Sequence, residues 1–474
     1  MRADNGPIRS QGLASLSAFD LRRLLMRREL SVPEIVSAAL EAIATRDGRL
    51  HAFLTICPEA AMRAARAAQK RLRDGDPPPP LFGIPLAVKD AEPVARMPFT
   101  AGSLIFRQRI AGQDSLHVAR LRAAGAIIVG KTNTPEFTLL GETRNRLGPD
   151  TCNPWDTSRT PGGSSGGSAA ALAAGMVPLA TGSDTAGSIT APAAFCGLVG
   201  LKPSHRRIPV WPDPEDWQPF SDVGPMARTV HDLTLMLAAS VGADPRDPLS
   251  EGFGPPRPQP RKLRITWASS VAGLPVAPEC AAAAEALATL FQSAGHHVDE
   301  ARPDIEDPGP AHDLLGAVEE YRARGTFLAR HPDLLAPETS AMLAMGKAAT
   351  ASDIAAARAA SFGTALRMRD FMAGRDIFIL PATACPAFPL RQPPTMIGGC
   401  TVRPDWPSYA PFNMLANIAG LPAATLPMLL SADGLPVGAL AFAGYGQDEL
   451  LLAALAEAEA LRGPFPAAPL TLTR

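Results

Sequence analysis

Apolar residues near the start of the chain recur at helical spacing. Ser17 and Ser31 each stand three residues before an acidic residue, a pattern typical of capping boxes that open amphipathic helices. A further helix is predicted over Pro58 to Arg73, and the Asp74-Gly75-Asp76 turn and four prolines end it. We expect these helices to pack on a core through their apolar faces.

Farther along, short apolar runs alternate with longer helical patterns. Strands are predicted over Leu81–Val88, Ala126–Val129, Leu263–Ala268, Ile377–Pro381 and from His297–Val298 onward. Helices are predicted over Met226–Ala239, Glu279–Ala294 and Gln447–Leu461, and residues 304–373 read as helical without a chemical motif. This alternation predicts an α/β fold in which helices cover a sheet.

Length and composition favour a sizeable buried core. The 474 residues are 46% hydrophobic and 19% charged. The net charge of −1 gives no electrostatic footprint for nucleic acid or for an anionic membrane surface. Pro161 to Gly182 carries no charge over 22 residues, but its Gly and Ser content argues against a membrane span. We therefore expect neither nucleic acid nor membrane as a partner.

The cysteines and the first residues of the chain indicate the cellular compartment in which the protein is expected. The six cysteines show no CxxC pair and no histidine at metal-ligand spacing, which favours reduced, inert thiols and no metal site. Met1 to Ser15 contains charges and no apolar stretch of the kind found in secretory signals. The prediction is a cytoplasmic protein.

Two clusters of Gly and Ser lie between Thr160 and Pro203. The first is Gly162 to Ser168 and the second is Asp184 to Ser188. Glycine at this density lets a backbone approach a ligand closely, although it is also typical of flexible linkers. The segment between the clusters is apolar enough to be buried, and Ser168 to Gly175 suits an Ala-rich helix. Serines at turns on a buried scaffold indicate a catalytic centre.

Lys89 follows the predicted strand Leu81–Val88. Only six of the 45 Lys and Arg residues are lysines, so each lysine merits attention. Burial favours the neutral form of a lysine, and a general base must be neutral. A structural lysine paired with a carboxylate is the alternative, but together with the serine clusters Lys89 is the best candidate for a base.

Gly125 to Thr132 matches the phosphate-binding pattern GxxxxGK[ST]. The four intermediate residues should form a loop in such a site, whereas Ala126 to Val129 reads as a strand. Pro135 also falls where the following helix should be established. The pattern therefore does not predict nucleotide binding, and Lys131 is expected to be structural.

Gly163 to Gly167 satisfies GxSxG, the nucleophile elbow of α/β-hydrolases, with Ser165 at its centre. Such an elbow follows a strand directly, whereas Ser158 to Pro161 does not read as one. None of the eight histidines stands in a context that marks it as catalytic. The elbow is therefore the weaker interpretation.

The clusters and several other segments resemble the amidase signature family of serine hydrolases. The central matches are GGSSGGS, GSDTAGSI and FCGLVGLKP, in the family's order and spacing. Further matches are GIPLAVKD (83–90), GKTNTPEF (130–137), NPWD (153–156), VGPMARTVHD (223–232), FNMLANIAGLPAATLP (412–427) and GLPVGALAFAG (434–444). Two positions depart from the family: Thr190 stands where an arginine is usual, and Ala186 replaces a common glycine.

The resemblance implies the roles of the candidate residues. Ser188 would be the nucleophile that accepts the acyl group, Lys89 the base, and Ser164 the bridging serine behind a cis peptide bond. The backbone N–H groups of residues 185–188, that is Thr185, Ala186, Gly187 and Ser188, would form the oxyanion hole. Asp184 and Ser165 would brace the site. Thr190 removes a cation near the nucleophile, which affects either substrate charge preference or a structural salt bridge.

The resemblance also implies one compact domain with a large mixed β-sheet covered by helices. Residues 1–80 are predicted to form a helical region on an α/β domain of residues 81–474, with the Pro-rich Glu251–Lys262 as an internal linker. In the loop from His205 to Gly224, Trp211, Trp217 and Phe220 stand among prolines and could wall a pocket. Substrate specificity is expected to vary in residues 304–373.

The predicted function is hydrolysis of a small-molecule carboxylic amide to an acid and ammonia or an amine, without a cofactor. Two alternatives stay open. One is the glutamine-hydrolysing component of a tRNA-dependent amidotransferase, which depends on a partner chain. The segment 416–422 resembles that component, whereas the rest of the signature, with Thr190 and the residues HRRIPV that follow Ser204, does not. The other is a non-catalytic member of the family. The sequence leaves the amide unidentified and a homodimer open.

Overall fold

The computed structural model describes residues 12–212, 220–254 and 262–472. Its strands are β1 (Phe53–Ile56), β2 (Pro85–Lys89), β3 (Ile127–Thr132), β4 (Leu179–Asp184), β5 (Val199–Lys202), β6 (Asp222–Ala227), β7 (Arg264–Trp267), β8 (His297–Glu300), β9 (Ile377–Pro381), β10 (Met396–Ile397), β11 (Cys400–Thr401), β12 (Ala423–Leu430) and β13 (Pro436–Ala443). Within the described chain, eleven strands form one sheet in the order β1-β3-β2-β4-β6-β5-β12-β13-β9-β7-β8. The sheet is mixed, since β2 runs parallel to β3 and β4 whereas β4 runs antiparallel to β6.

Helices cover the sheet. They are α1 (Ala18–Met26), α2 (Val32–Leu50), α3 (Pro58–Asp74), α4 (Leu116–Ala123), α5 (Gly166–Ala173), α6 (Thr190–Cys196), α7 (Val230–Ser240), α8 (Pro278–Ser293), α9 (Gly309–Arg330), α10 (Pro337–Ala348), α11 (Ala351–Met372), α12 (Trp406–Tyr409), α13 (Met414–Ala419), α14 (Asp448–Arg462) and α15 (Pro469–Leu472). Short 3-10 turns lie at Leu13–Ser15, Leu104–Phe106, Glu136–Thr138, Pro248–Ser250 and Pro332–Leu334. The predicted fold class is confirmed: a single α/β domain built on a large mixed sheet.

The central strands of the sheet are buried on both faces. Along β9, Ile377 and Ile379 pack into one core with α8, whereas Phe378 and Leu380 pack into another with α11 and α13. Successive side chains of a strand point to opposite faces, so this alternation is what a sheet between two helical layers requires. The apolar runs of the sequence reflect this double burial.

The predicted helix starts near the N-terminus are present. The Ser17 side chain accepts a hydrogen bond from the Asp20 N–H, and Ser31 forms a complete capping box with Glu34. Helix α3 begins at Pro58 and ends at Asp74, followed by Gly75 in the left-handed region. Strand β1, which pairs with β3, places part of residues 12–80 in the main sheet. The subdivision at residue 80 stays a prediction.

Three predicted boundaries were wrong. The strand expected from Leu81 begins at Pro85, because Leu81–Gly83 forms a turn in which Gly83 has a φ of +77°. The helix expected from Met226 begins at Val230, because Met226 and Ala227 belong to β6 and the Thr229 side chain caps the helix. The Ala-rich helix α5 begins at Gly166, two residues before the expected Ser168.

Strands that precede and strands that follow the Pro-rich segment Glu251–Lys262 belong to the same sheet. Residues 255–261 of this predicted linker lie outside the described residues, as does Trp217 of the predicted pocket loop. Strands β7 and β8, which follow the linker, join the same sheet through β9 and β13. This continuity favours an internal position for the linker rather than a domain boundary.

Candidate active site

Strand β2 delivers Lys89 to the middle of the molecule. Every residue of the strand is buried, and Lys89 itself is 0% exposed. Its Nζ lies 2.6 Å from Ser164 Oγ and 2.9 Å from Ser165 Oγ. The same Nζ lies 2.9 Å from Ser183 Oγ and 3.3 Å from the Ser183 carbonyl oxygen. Serine oxygens therefore surround the Lys89 amine.

The protonation of Lys89 follows from this environment. Burial lowers the pKa of Lys89 from its ordinary value to about 7, although the negative charges of Asp184 and Glu92 raise it. Among the described residues no carboxylate forms an ion pair with Lys89. The buried Lys131 and Lys202 differ, since they pair with Asp90 and Asp222 at 2.8 Å each. Lys89 is thus the buried lysine poised to exchange a proton near neutral pH.

The first Gly/Ser cluster is held against the second. The Gly163–Ser164 peptide bond is cis. The Ser165 N–H donates to the Ser188 carbonyl oxygen at 3.1 Å, which ties the two clusters together. Ser168 anchors the start of α5 to the sheet through Thr132 Oγ1 at 2.7 Å and the Thr181 carbonyl oxygen at 2.8 Å. The two clusters therefore meet next to Lys89.

The second cluster turns around the Asp184 carboxylate at the end of β4. Oδ1 accepts the Gly187 N–H at 2.7 Å, and Oδ2 accepts the Ile189 N–H at 2.8 Å. Because Gly187 donates to Asp184, this geometry narrows the expected oxyanion hole to Thr185, Ala186 and Ser188. The N–H groups of these three residues have no hydrogen-bond partner in the described part of the chain.

Gly187 requires its glycine, whereas the neighbouring Ala186 does not. Gly187 has a φ of +116°, and an added Cβ would lie 2.4 Å from the Cβ of Asn413. Ala186 is not among the residues with positive φ, so its N–H keeps an ordinary conformation despite the departure from the family pattern. Ser188 is half-buried and follows this turn directly.

Residues from the C-terminal half cover the turn. His312 Nε2 lies 3.0 Å from the Thr185 carbonyl oxygen, and Trp406 Nε1 donates to the Ala186 carbonyl oxygen at 3.0 Å. Asn417 Nδ2 donates to the Asp184 carbonyl oxygen at 3.0 Å. The sequence reasoning missed these residues. Their contacts span more than 100 positions, so no local pattern marks His312 or Trp406. Asn417 lies in the segment 412–427 that resembles the family, but no role was predicted for it.

Thr190 lies beside the Asp184 carboxylate, whose Oδ2 accepts the Thr190 N–H at 3.3 Å. Thr190 is 2% exposed, and its Oγ1 accepts a hydrogen bond from Asn413 Nδ2 at 2.8 Å. The Thr190 carbonyl oxygen accepts from Thr425 Oγ1 at 2.9 Å. The position at which the family resemblance leads us to expect an arginine therefore holds a hydroxyl in a hydrogen-bond network with Asn413 and Asp184.

A cavity of about 350 Å³ opens beside the cluster of serines around Lys89. Ser183 forms part of its wall, and Trp211 of the predicted pocket loop forms another part. Phe220 from the same loop packs instead against the ring of His312, with centroids 5.2 Å apart. The expectation that this loop walls a pocket is confirmed for Trp211.

Local structure argues against two of the sequence patterns. The GKT of residues 130–132 lies within strand β3, and Lys131 Nζ donates to Asp90 Oδ1 at 2.8 Å and to the Glu92 carbonyl oxygen at 2.7 Å. In the described chain no strand ends directly before Ser165, as a nucleophile elbow requires. Lys131 is structural, as expected.

The cysteines, the possible metal ligands and the helix lengths were also compared with the sequence predictions. All six cysteines are free thiols, and burial raises the pKa of Cys196 and Cys280. In residues 12–212, 220–254 and 262–472, no group of three or more His, Cys, Asp or Glu side chains is placed to hold a metal ion. None of the helices described is long and apolar enough to cross a membrane.

Comparison with known proteins gives consistent matches along the chain. Residues 34–452 match the family model described as Amidase. The A subunit of the glutamyl-tRNA(Gln) amidotransferase of Anaeromyxobacter dehalogenans is 37% identical over 93% of this chain and 95% of that protein. The acylamidase of Rhodococcus erythropolis is 33% identical over 95% of this chain and 96% of that protein. A bacterial aryl acylamidase of the amidase signature family superposes with a TM-score of 0.87 at 25% identity, over 97% of this chain and 99% of that chain.

Proposed function

The chain belongs to the amidase family of amide hydrolases, and from this premise we propose that it forms an acyl-enzyme on Ser188. Ser164 would relay protons between Ser188 and the base Lys89. The product is a carboxylic acid together with ammonia or an amine. The observation that carries the proposal is the 2.6 Å contact between Lys89 Nζ and Ser164 Oγ, two fully buried side chains.

The first half of the reaction forms the acyl-enzyme. Neutral Lys89 accepts the proton of Ser164, and Ser164 takes the proton of Ser188 as Ser188 Oγ attacks the carbonyl carbon. The N–H groups of residues 185, 186 and 188 stabilise the negative oxygen that results. The proton then returns from Lys89 through Ser164 to the amide nitrogen, the C–N bond breaks, and the amine leaves.

The second half repeats the relay with water. Ser164 accepts a proton from water, which attacks the acyl carbon, and the acid is released when Ser188 regains its proton. Asp184 acts on the geometry alone, because its carboxylate fixes the turn that carries the donors and the nucleophile. No step requires a metal ion or an organic cofactor.

A screen for ammonia or amine release tests this proposal. The panel contains aliphatic, aryl and amino-acid amides, with Ser188→Ala as the matched control. Turnover of at least one amide by the wild type, abolished in the variant, is the expected result. Equal turnover by Ser188→Ala would assign the nucleophile elsewhere.

A second candidate is a partner-dependent glutaminase. It is favoured by the 37% identity to the A subunit of a glutamyl-tRNA(Gln) amidotransferase. That function predicts co-purification with a second protein chain, and glutamine hydrolysis that depends on this partner. Hydrolysis of simple amides by the isolated chain, without stimulation by a partner, supports the stand-alone enzyme. Failure of Ser188 to react with an acyl-site probe would instead favour the non-catalytic alternative.

A further inference from the structure

The cavity beside Ser183 lies on the proton-transfer side of the candidate site. Ser183 lines the cavity, and its Oγ lies 2.9 Å from Lys89 Nζ. In the proposed reaction the leaving nitrogen takes its proton from Ser164, which contacts the same Nζ at 2.6 Å. Because Ser183 and Ser164 contact the same Nζ, the cavity lies next to the group that would protonate the leaving nitrogen, and we place the amine half of a substrate there, with the acyl half on Ser188.

The walls of the cavity suit a flat apolar group. Four phenylalanine rings line the cavity: Phe99, Phe106, Phe137 and Phe327. The Phe106 ring packs edge-on against those of Phe137 and Phe327, with centroids 5.7 Å apart in both pairs. Aromatic rings prefer such edge-to-face and offset neighbours. A volume of about 350 Å³ is large enough for a substituted benzene ring.

Arg109 projects into the same cavity and is held rigidly. Its guanidinium carbon lies 3.8 Å from the ring centroids of both Phe99 and Phe106. Its Nε donates to the Phe99 carbonyl oxygen at 2.6 Å. Within the described residues, neither of its Nη groups has a hydrogen-bond partner, and no carboxylate pairs with it. The edge of the guanidinium formed by the two Nη groups is therefore available to bind a ligand.

The other ionisable side chains of the cavity each contact a neighbouring side chain. Glu92 lies 2.9 Å from His117 Nδ1, Arg324 pairs with Glu320, and Arg206 Nη1 lies 3.5 Å from Asp247. Burial lowers the pKa of Arg109 to about 10, so the guanidinium remains charged at neutral pH. Arg109 thus presents to the cavity a charged guanidinium whose planar fork matches a carboxylate.

We propose that this cavity binds the amine half of the substrate as an arylamine that carries a carboxylate, with Arg109 forming a bidentate ion pair to that carboxylate. This inference rests on the proposed function and names its substrate class. The bond between the acyl carbon and the aryl nitrogen breaks, and the nitrogen takes its proton from Ser164. The aminoaryl carboxylate leaves, and water later removes the acyl group from Ser188 as a carboxylic acid.

The test compares two acetanilides that differ in charge at one substituent. 4-Acetamidobenzoate carries the carboxylate, and 4-acetamidoacetophenone replaces it by a neutral ketone of similar shape; the 3-substituted pair covers the other ring position. The ratio of their kcat/KM values is measured for the wild type, Arg109→Gln and Arg107→Gln. Arg107 is an exposed arginine outside the cavity and serves as the matched control. A ratio within one protein does not depend on how much of the preparation is folded.

We expect the wild type and Arg107→Gln to prefer the carboxylate by about tenfold to a hundredfold, as for a charge-assisted hydrogen-bonded pair. The preference should disappear in Arg109→Gln. A wild-type ratio near one, or a preference that survives in Arg109→Gln, would overturn the inference while leaving the proposed function in place. The pair 4-carbamoylbenzoate and benzamide tests a carboxylate on the acyl half instead. If the enzyme prefers the carboxylate only in this second pair, the inference that Arg109 binds the amine half is contradicted.

A binding measurement separates this inference from the proposed function. Titration calorimetry with 4-aminobenzoate, the expected product, needs no turnover. The dissociation constant should rise about tenfold or more in Arg109→Gln and stay unchanged in Arg107→Gln, even if no amide is hydrolysed. Equal affinity of the wild type and Arg109→Gln would reject Arg109 as the carboxylate ligand.

Discussion

The Nζ of Lys89 lies 2.6 Å from the Oγ of Ser164, and both residues are 0% exposed. Removing an ammonium group from water without a carboxylate partner disfavours its charged form. Lys131, which is equally buried, has such a partner in Asp90 at 2.8 Å. This difference between the two lysines supports the proposed role of Lys89 as a base and a structural role for Lys131.

Ser188 is expected to carry the acyl group. An irreversible fluorophosphonate should form an adduct on Ser188, located by mass spectrometry of the digested protein. Ser188→Ala should lower kcat by on the order of 10⁴ or more, as for other nucleophile removals. An adduct on Ser165 would instead support the nucleophile-elbow interpretation.

Adjacent residues of the turn provide a matched pair of variants. Gly187→Ala should abolish most activity, because the new Cβ would lie 2.4 Å from that of Asn413 and the φ of +116° is strained for alanine. Ala186→Gly should keep kcat/KM within a few fold, since its N–H is retained. Both are checked by steady-state kinetics and thermal unfolding. If the kcat/KM of Gly187→Ala equals that of the wild type, the turn tolerates a Cβ at residue 187 and the prediction is wrong.

The buried Lys202–Asp222 pair should matter for stability. Asp222 also accepts the Arg206 N–H at 3.0 Å and lies 3.0 Å from His205 Nδ1. Asp222→Asn leaves the buried Lys202 charge without its carboxylate and should lower the free energy of unfolding by about 3–5 kcal/mol. The exposed pair of Arg71 and Asp76 is the control, and Asp76→Asn should cost less than about 1 kcal/mol. Urea denaturation measures the unfolding free energy of both variants. Equal losses in Asp222→Asn and Asp76→Asn would contradict the stabilising role of the buried pair.

The Asp222 pair also predicts a pH dependence. Burial alone would raise the pKa of Asp222, but the charges of Lys202 and His205 outweigh it and hold the pKa below its ordinary value. A carboxyl with a lowered folded-state pKa contributes stability in full above its unfolded pKa of about 3.9. The difference between the wild type and Asp222→Asn should therefore shrink as the pH falls below that value. A difference that grows on acidification would contradict this sign.

Activity is expected to survive exhaustive EDTA treatment and to need no ATP. The residue pattern that resembles a phosphate-binding loop lies in strand β3, where Lys131 is bonded to Asp90 and the Glu92 carbonyl oxygen. Assays before and after dialysis against EDTA, with and without ATP, check this. A requirement for either would contradict the serine-hydrolase proposal.

The sequence predicts most elements because their signals are local. The capping box at Ser31 and the double burial that makes Ile377–Pro381 a continuous apolar run are both readable from neighbouring residues. The start of β2 was missed because Gly83 turns within an apolar run, where hydrophobicity alone cannot separate a turn from a strand.

The sequence predicts those residues of the candidate site that lie within continuous sequence motifs. Lys89, Ser164 and Ser183 converge because β2, the first cluster and β4 are neighbours in the fold. His312 and Arg109 carry no local signal, since their significance comes from contacts with the turn and with two phenyl rings. Such tertiary contacts are invisible to periodicity and motif spacing.

The central claim is that Lys89 acts as a neutral base. With its pKa lowered to about 7 by burial, kcat/KM of the wild type should rise as the pH increases through 7 and then level off. Lys89→Ala should remove most activity. Arginine remains protonated at any working pH and cannot accept the serine proton, so Lys89→Arg should be no better than Lys89→Ala.

The most direct measurement is the profile of kcat/KM against pH, from 5 to 9, for the wild type and Lys89→Arg on one hydrolysed amide. Circular dichroism and thermal unfolding of both proteins confirm that the variant is folded. The account predicts a wild-type curve that rises to a plateau above about pH 7 and a variant without substantial activity at any pH. Substantial activity in folded Lys89→Arg would show that Lys89 supplies only a positive charge, and would contradict its assignment as the base.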